Sequence, residues 1–249
     1  MTHITLPLKI ELIKLFRKSN ILSLLVFGYL YFGMLYTISQ ETKATPSELD
    51  FYTNLQIILS PIGLLVMALF FVNSIGNDFI EGSYRKLIAL GLSVKEYLVG
   101  KLMLILLFAA LILLSNTALF YLFGMVKLNS TTPILLGCIT TPSIVNQTIA
   151  LFTAGVFGFL FVAVSRNRVI GLVFFPLWLS FEFVFRLMEY RSDTKLLTTF
   201  SPGNALFNLY NTTNAEAKPL LVVLITGIVF VTTIYLSLKY RDVKGPQLQ

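Results

Sequence analysis

Residues 76–101 read GNDFIEGSYRKLIALGLSVKEYLVGK. The stretch is charged and helically patterned, yet it lies between two long apolar runs. Tyr84, Leu87, Ile88 and Gly91 recur at i, i+3, i+4 and i+7, the spacing of one helix face. Asp78 and Glu81 stand near the start, where a helix dipole favours anions, and Arg85 and Lys86 follow. Gly91 accepts the positive φ that closes a helix. Ser93-Val94-Lys95-Glu96 has capping-box form: the Ser93 hydroxyl takes the Glu96 amide, and Glu96 reaches back to the Ser93 amide. The pattern predicts a helix of about three turns, a break at Gly91-Leu92, and a new helix running into the next apolar run. A connection that merely joined two membrane crossings would not need its own stop and restart. A short, rigid helix is suited to docking on another protein and passing its motion to the attached spans. An amphipathic helix lying on the membrane has the same pattern.

The flanking runs define the class. The chain has 249 residues, 56% of them hydrophobic and 12% charged, where soluble domains carry about 25% charged residues. Mean hydropathy is +0.80. Six runs approach the roughly 20 apolar residues that a spanning helix needs: 21–38, 55–75, 102–125, 147–165, 169–185 and 219–238. Backbone polar groups in lipid must be satisfied internally, so the runs are expected to be helices. Arg166, Asn167 and Arg168 alone separate the fourth and fifth, which predicts a tight basic turn. Cys138 is the only cysteine, which excludes an internal disulfide and a cysteine metal cluster. The first run follows a basic helical segment and no small-residue cleavage site follows it, so a signal peptide is not expected.

With six crossings, thirteen Lys and Arg residues fall on one side and six on the other. The richer side holds the opening segment, Arg85, Lys86, Lys95, Lys101, the Arg166–Arg168 turn and Lys239–Lys244. Positive residues stay cytoplasmic, so both termini are expected there. The net charge of +7 is therefore a topology signal, and a nucleic-acid partner is not expected. Residues 6–18, LPLKIELIKLFRK, place Leu8, Leu12 and Leu15 on one face, with Lys9, Lys14, Arg17 and Lys18 around them. That pattern suits an amphipathic helix at the inner membrane surface, near anionic headgroups.

DFIEGSYRKLIALGLSVKEYLVGK resembles the first cytoplasmic loop of ABC-2-type permeases, the membrane subunits of ABC exporters. The family pattern is an acidic residue, three residues, Gly-Thr, a leucine-rich turn, Pro-x-Ser-Arg, and Gly-Lys opening the third span. Asp78 stands at the acid, Gly82-Ser83 at Gly-Thr, and Leu87 and Leu90 in the turn. Ser93 stands at the Ser, Lys95 near the Arg, and Gly100-Lys101 at Gly-Lys. Asp replaces Glu, Ser replaces Thr, and no proline precedes Ser93. The N-terminal KIELIKLFRKS is similar to the family's entry helix, and the six-span count with cytoplasmic termini agrees across the chain.

The resemblance implies that the loop is a coupling helix seated in a groove of a separate ATP-binding subunit. Asp78, Glu81, Gly82, Ser83, Tyr84, Arg85, Leu87, Ile88, Gly91 and Ser93 would be the coupling residues. It further implies two permease subunits, as a homodimer or a related heterodimer, with two ATP-binding subunits. ATP and Mg would sit on the partner, with no cofactor on this chain, in a bacterial inner membrane. The implied fold is an all-α integral membrane protein in one domain. It has six transmembrane helices, an N-terminal interfacial helix, the coupling helix between spans 2 and 3, and short external helices before span 6.

The segment before the last span contains TFSPGNALFNLYNTT, residues 199–213. Phe200, Leu206, Phe207, Leu209 and Tyr210 make it apolar for a free loop, and Pro202 after Ser201 suits a helix start. The resemblance implies short helices that dip into the outer leaflet; a folded loop on the spans also fits. Glu182 lies inside the fifth span, where ionisable groups are costly and point to function. It can pair with Arg186 one turn later, or line a substrate path. Asn73, Asn77 and Asn116 can line a path or bridge helices, and bridging is favoured. Pro61 and Pro176 lie within spans and are expected to kink them. Ala150, Ala154 and Gly158 form a small-residue face on the fourth span, for packing within the subunit or against a partner.

Several chemistries are excluded. No G-x-x-x-x-G-K-[ST] cradle exists for nucleotide phosphates. His3 is the only histidine, which leaves no His-based acid–base pair and no H-E-x-x-H zinc site. Glu182-Phe-Val-Phe-Arg186 resembles part of the Glu-Glu-x-x-x-Arg motif of an intramembrane protease family, but residue 181 is Phe and the histidines are missing. The expected function is an exporter permease rather than an enzyme. The alternative is a secondary carrier or a scaffold subunit without ATP coupling. A carrier should show inverted repeats and midplane charge; no clear repeat relates 1–125 to 126–249, and Glu182 is the sole candidate charge.

Overall fold

The computed structural model of the chain describes Gly33 and residues 48–128, 141–192, 201–212 and 217–242. The expected N-terminal interfacial helix and, apart from the helical Gly33, the first expected span lie outside the described residues. All elements described are helices: α1 Glu48–Ile80, α2 Ser83–Ala89, α3 Val94–Leu128, α4 Thr141–Ser165, α5 Arg168–Ser192, α6 Pro202–Asn211 and α7 Ala217–Asp242. Among the described residues, four segments are long and apolar enough to cross a membrane: Pro61–Ile80, Val94–Ala118, Pro142–Ser165 and Ala217–Tyr240. They cover the second, third, fourth and sixth expected spans. The fifth lies within α5, which is not among the four and has several side chains outside the described residues.

Helix starts differ from the apolar runs for a local reason. α3 begins at Val94, well before Leu102, because the helix is launched by its cap and not by the edge of its apolar run. Similarly, α4 begins at Thr141, ahead of Gln147. Pro61 and Pro176 both lie inside continuous helices.

The core is built on α4. A β-carbon on Gly158 would stand 2.3 Å from the Ala68 carbonyl oxygen, so α1 and α4 approach to backbone contact there. Ala150 and Ala154 on the same face are fully buried. The small-residue stripe therefore serves packing within the subunit, one of its two expected roles. Phe70 of α1 stacks on Phe108 of α3 at 4.3 Å between ring centroids. On the other flank, Phe157 of α4 meets Trp178 of α5 at 4.4 Å and Phe230 of α7 at 4.8 Å. α7 is the least buried of the four membrane-length segments. Only 11% of its apolar window is buried within the chain, against 61% for α1 and α4. Its exposed Leu221, Leu224, Ile225 and Ile228 match a hydrocarbon surrounding, where apolar surface carries no solvation penalty.

Candidate docking site

The connection from α1 to α3 is defined by backbone geometry. The Glu81 amide donates to the Asn77 carbonyl at 2.9 Å, a last helical bond. Gly82 then takes φ 67° and caps the start of α2, and the Lys86 amide donates to the Gly82 carbonyl at 3.1 Å. At the far end Gly91 takes φ 93°. The Leu92 amide donates to the Leu87 carbonyl at 3.1 Å, and the Gly91 amide to the Ile88 carbonyl at 3.0 Å. These two bonds form a Schellman closure. The capping box follows as expected. The Ser93 amide donates to the Glu96 carboxylate at 2.8 Å, and the Glu96 amide to the Ser93 hydroxyl at 3.2 Å.

Two expectations are corrected. α2 spans seven residues, about two turns rather than three. Asp78 and Glu81 also do not occupy its first turn: Asp78 lies in the last turns of α1 and Glu81 in the turn after it. The left-handed Gly82 splits a pattern that reads as continuous in sequence.

The side chains of this region divide into a base and an outer face. Tyr84 is 1% exposed and packs edge-on against Phe79 at 5.4 Å and Tyr97 at 4.8 Å. Leu87 and Ile88 lean on the same core. Asp78 is buried, with Lys101 Nζ at 2.6 Å and the Tyr97 hydroxyl donating to it at 3.1 Å. Tyr84 thus anchors α2 to α1 and α3, and Asp78 ties α1 to α3 beneath it. The outer face carries Arg85, Lys86, Ala89 and Gly91, together with Leu90, 85% exposed. Glu81 and Ser93 are also exposed, and Gly82 and Ser83 are half-buried.

Tyr97 and Lys101 were not singled out as site residues by sequence reasoning. Their signal was opposite charges, Asp78 and Lys101, on the two helical flanks of one loop.

The α4–α5 turn closes against this base. Arg166 takes φ 56°, its amide donating to the Val162 carbonyl at 2.8 Å. The Asn167 side chain then accepts from the Val169 amide at 2.8 Å and caps α5. The Arg166 guanidinium lies 4.3 Å from the Phe79 ring centroid and 5.4 Å from that of Tyr84, within cation–π range. It also reaches the Ser237 carbonyl at 3.5 Å, and the Ser237 hydroxyl donates to the Ala163 carbonyl at 2.9 Å. The C-terminal part of α7 therefore sits at the α2 end of the bundle. Arg168 Nη1 donates to Asn73 at 3.2 Å and to Asn77 at 3.0 Å. Both asparagines bridge α1 to α5.

The other candidate path residues meet α6. Asn116 Nδ2 donates to the Tyr210 hydroxyl at 2.7 Å. Burial raises the Tyr210 phenol above its ordinary pKa, and the Asn116 bond offsets part of that rise. Glu182 is buried. It accepts from the Ser201 hydroxyl, and from the Gly203 amide at 3.3 Å, where the positive end of the α6 dipole favours a carboxylate. α6 begins at Pro202 with Ser201 as its N-cap, as the Ser-Pro pair predicts. The Arg186 side chain lies outside the described residues, so the expected Glu182–Arg186 pair does too. Asn73 belongs to the Arg168 contact, whereas Asn116 and Glu182 both bind α6, so the three do not converge on one site.

No family model matches the chain, and no curated protein or solved structure matches it.

Proposed function

We propose that this chain is the permease subunit of an ATP-driven ABC exporter, coupled through α2 to a separate ATP-binding subunit. The observation that carries this reading is the construction of α2. It has its own stop at Gly91 and restart at Ser93, an anchored face at Tyr84, and an outer face at Arg85, Lys86 and Leu90. A push on that outer face reaches α1 through Gly82 and the Tyr84–Phe79 contact and α3 through Tyr84–Tyr97, with Asp78–Lys101 holding α1 and α3 together. Rigid transmission of this kind is what a subunit driven by a partner's motion needs. The docking surface is Arg85, Lys86, Ala89 and Leu90, while Asp78 and Tyr84 transmit. Two such subunits pair in a cell membrane, with α2 and both termini on the cytoplasmic side, and the translocation path runs between them.

The test is affinity capture of the tagged protein from its native membrane in mild detergent, beside Lys86→Glu/Leu90→Asp. Both substituted side chains are exposed, so the variant should keep its thermal midpoint. The reading expects an ATPase with the wild type and its loss from the variant. If no ATPase is captured in any of several detergents, a carrier or scaffold without ATP coupling takes its place.

A further inference from the structure

A groove of about 490 Å³ runs between α3, α4 and α7. Leu106 of α3, Phe152 and Thr153 of α4, and Val223, Gly227 and Val231 of α7 line it. Leu224 and Ile228 also line it and are 48% and 66% exposed, so it opens sideways from the bundle. The volume suits a small molecule, and the wall is apolar apart from three threonines and Gly227. Two of the threonines have already spent their protons. The Thr148 hydroxyl donates to the Ile144 carbonyl at 2.7 Å, and the Thr232 hydroxyl to the Ile228 carbonyl at 2.8 Å.

Thr153 differs. It is 3% exposed, yet its hydroxyl makes no hydrogen bond among the described residues. Thr153 Oγ1 is the nearest atom to a β-carbon placed on Gly227, at 3.8 Å. The hydroxyl therefore faces α7 where that helix has no side chain. A buried hydroxyl in apolar surroundings is costly unless it finds a partner. Depth narrows what that partner is. Thr153 stands eleven residues from Pro142 and twelve from Ser165, the ends of its membrane-length segment. Either end is about 17 Å away at the helical rise, which places Thr153 at mid-membrane in a hydrocarbon core about 30 Å thick. A phospholipid lying alongside brings only chain carbons to that depth. The partner that fits is an acceptor carried by a molecule seated in the groove.

We propose that this groove binds a compact, mostly apolar molecule whose hydrogen-bond acceptor, such as a carbonyl, takes the Thr153 proton. The site needs no ATP-binding partner, so it stands or falls separately from the exporter reading. The experiment is photolabelling of the purified chain in phosphatidylcholine nanodiscs with benzophenone, mapped by peptide mass spectrometry. The competitors are fluorenone, which has a carbonyl, and fluorene, which has the same rings without it. Labelling should concentrate on 148–153 and 223–232, and should be lost in Gly227→Leu, which fills the groove. Fluorenone should halve the labelling at about one-fifth of the fluorene concentration, the factor expected for one neutral hydrogen bond. In Thr153→Val that difference should vanish, while the ligand-free unfolding midpoint stays at or above that of the wild type. Thr153→Val decides the question alone if Gly227→Leu alters the fold. Equal competition by fluorene against the wild type would reduce the groove to apolar packing and overturn the acceptor assignment. Labelling spread equally over the exposed Phe174 and Phe181 of α5 would overturn the site in favour of surface partitioning. A lower ligand-free midpoint in Thr153→Val would assign the hydroxyl to the fold and overturn its role in binding.

Discussion

Asp78 and Lys101 are both almost fully buried, with side-chain exposures of 4% and 1%. Removing one partner of such a pair leaves a buried charge, which costs about 3–5 kcal/mol. Lys101→Met alone should therefore lower the unfolding midpoint sharply. Asp78→Leu/Lys101→Met should recover most of that loss, because an apolar pair of similar volume is tolerated. Unfolding of the three proteins in detergent checks this, and equal damage in the double variant would count against it. The pairing was beyond sequence reading because it depends on how the loop folds; Asp78 looked like the start of a helix until Gly82 divided the run. Tyr210 carries a pH prediction. Its folded-state pKa is raised, so its contribution is present below the unfolded value, about 10, and is lost as pH rises beyond it. Tyr210→Phe should cost about 1 kcal/mol at neutral pH, through the lost Asn116 bond. It should also flatten the alkaline fall in stability, read from unfolding midpoints at about pH 8 and about pH 11.

At the scale of elements, the legible features were those decided within a few residues. Gly91, the Ser93–Glu96 box and the Ser201-Pro202 start each carry their geometry in adjacent side chains, and all three fold as read. Glu182 was harder. Its partners on α6 arrive from across a segment whose path the sequence does not specify, so a helix-turn neighbour, Arg186, was the natural expectation. The α1–α4 contact is the element-level feature most open to test. Gly158 faces the Ala68 backbone, whereas the nearest atom to a β-carbon on Gly227 is Thr153 Oγ1 at 3.8 Å. Gly158→Ala must push two helices apart and should cost at least the 1–3 kcal/mol typical of overpacking. Gly227→Ala should be neutral within about 0.5 kcal/mol. Expression yield and thermal midpoint in detergent separate the two; equal behaviour would mean that α1 and α4 pack less closely than this contact requires.

Across the whole molecule, charge and contact agree about the two ends of the bundle. Gly63 stands beside the Tyr210 hydroxyl of α6, and Asp78 lies 15 residues on, at the base of α2. At 1.5 Å per residue that is about 22 Å along α1. The α2 end gathers Arg85, Lys86, Lys95, Arg166, Arg168 and, through Ser237, the last turns of α7. This clustering was legible in sequence because Lys and Arg mark sides regardless of how the helices pack. The packing order, with α4 central and α7 the least buried of the four membrane-length segments, was not, because lipid-facing and helix-facing apolar residues have the same composition. The positive clustering predicts that the α2 end is cytoplasmic. In a Cys138→Ser background, Lys95→Cys and Asn208→Cys place one exposed thiol at each end. A membrane-impermeant maleimide added to intact cells should label Asn208→Cys, and should reach Lys95→Cys only after permeabilisation. The reverse pattern would turn α2 away from any source of cytoplasmic ATP and leave its docking face nothing to be driven by.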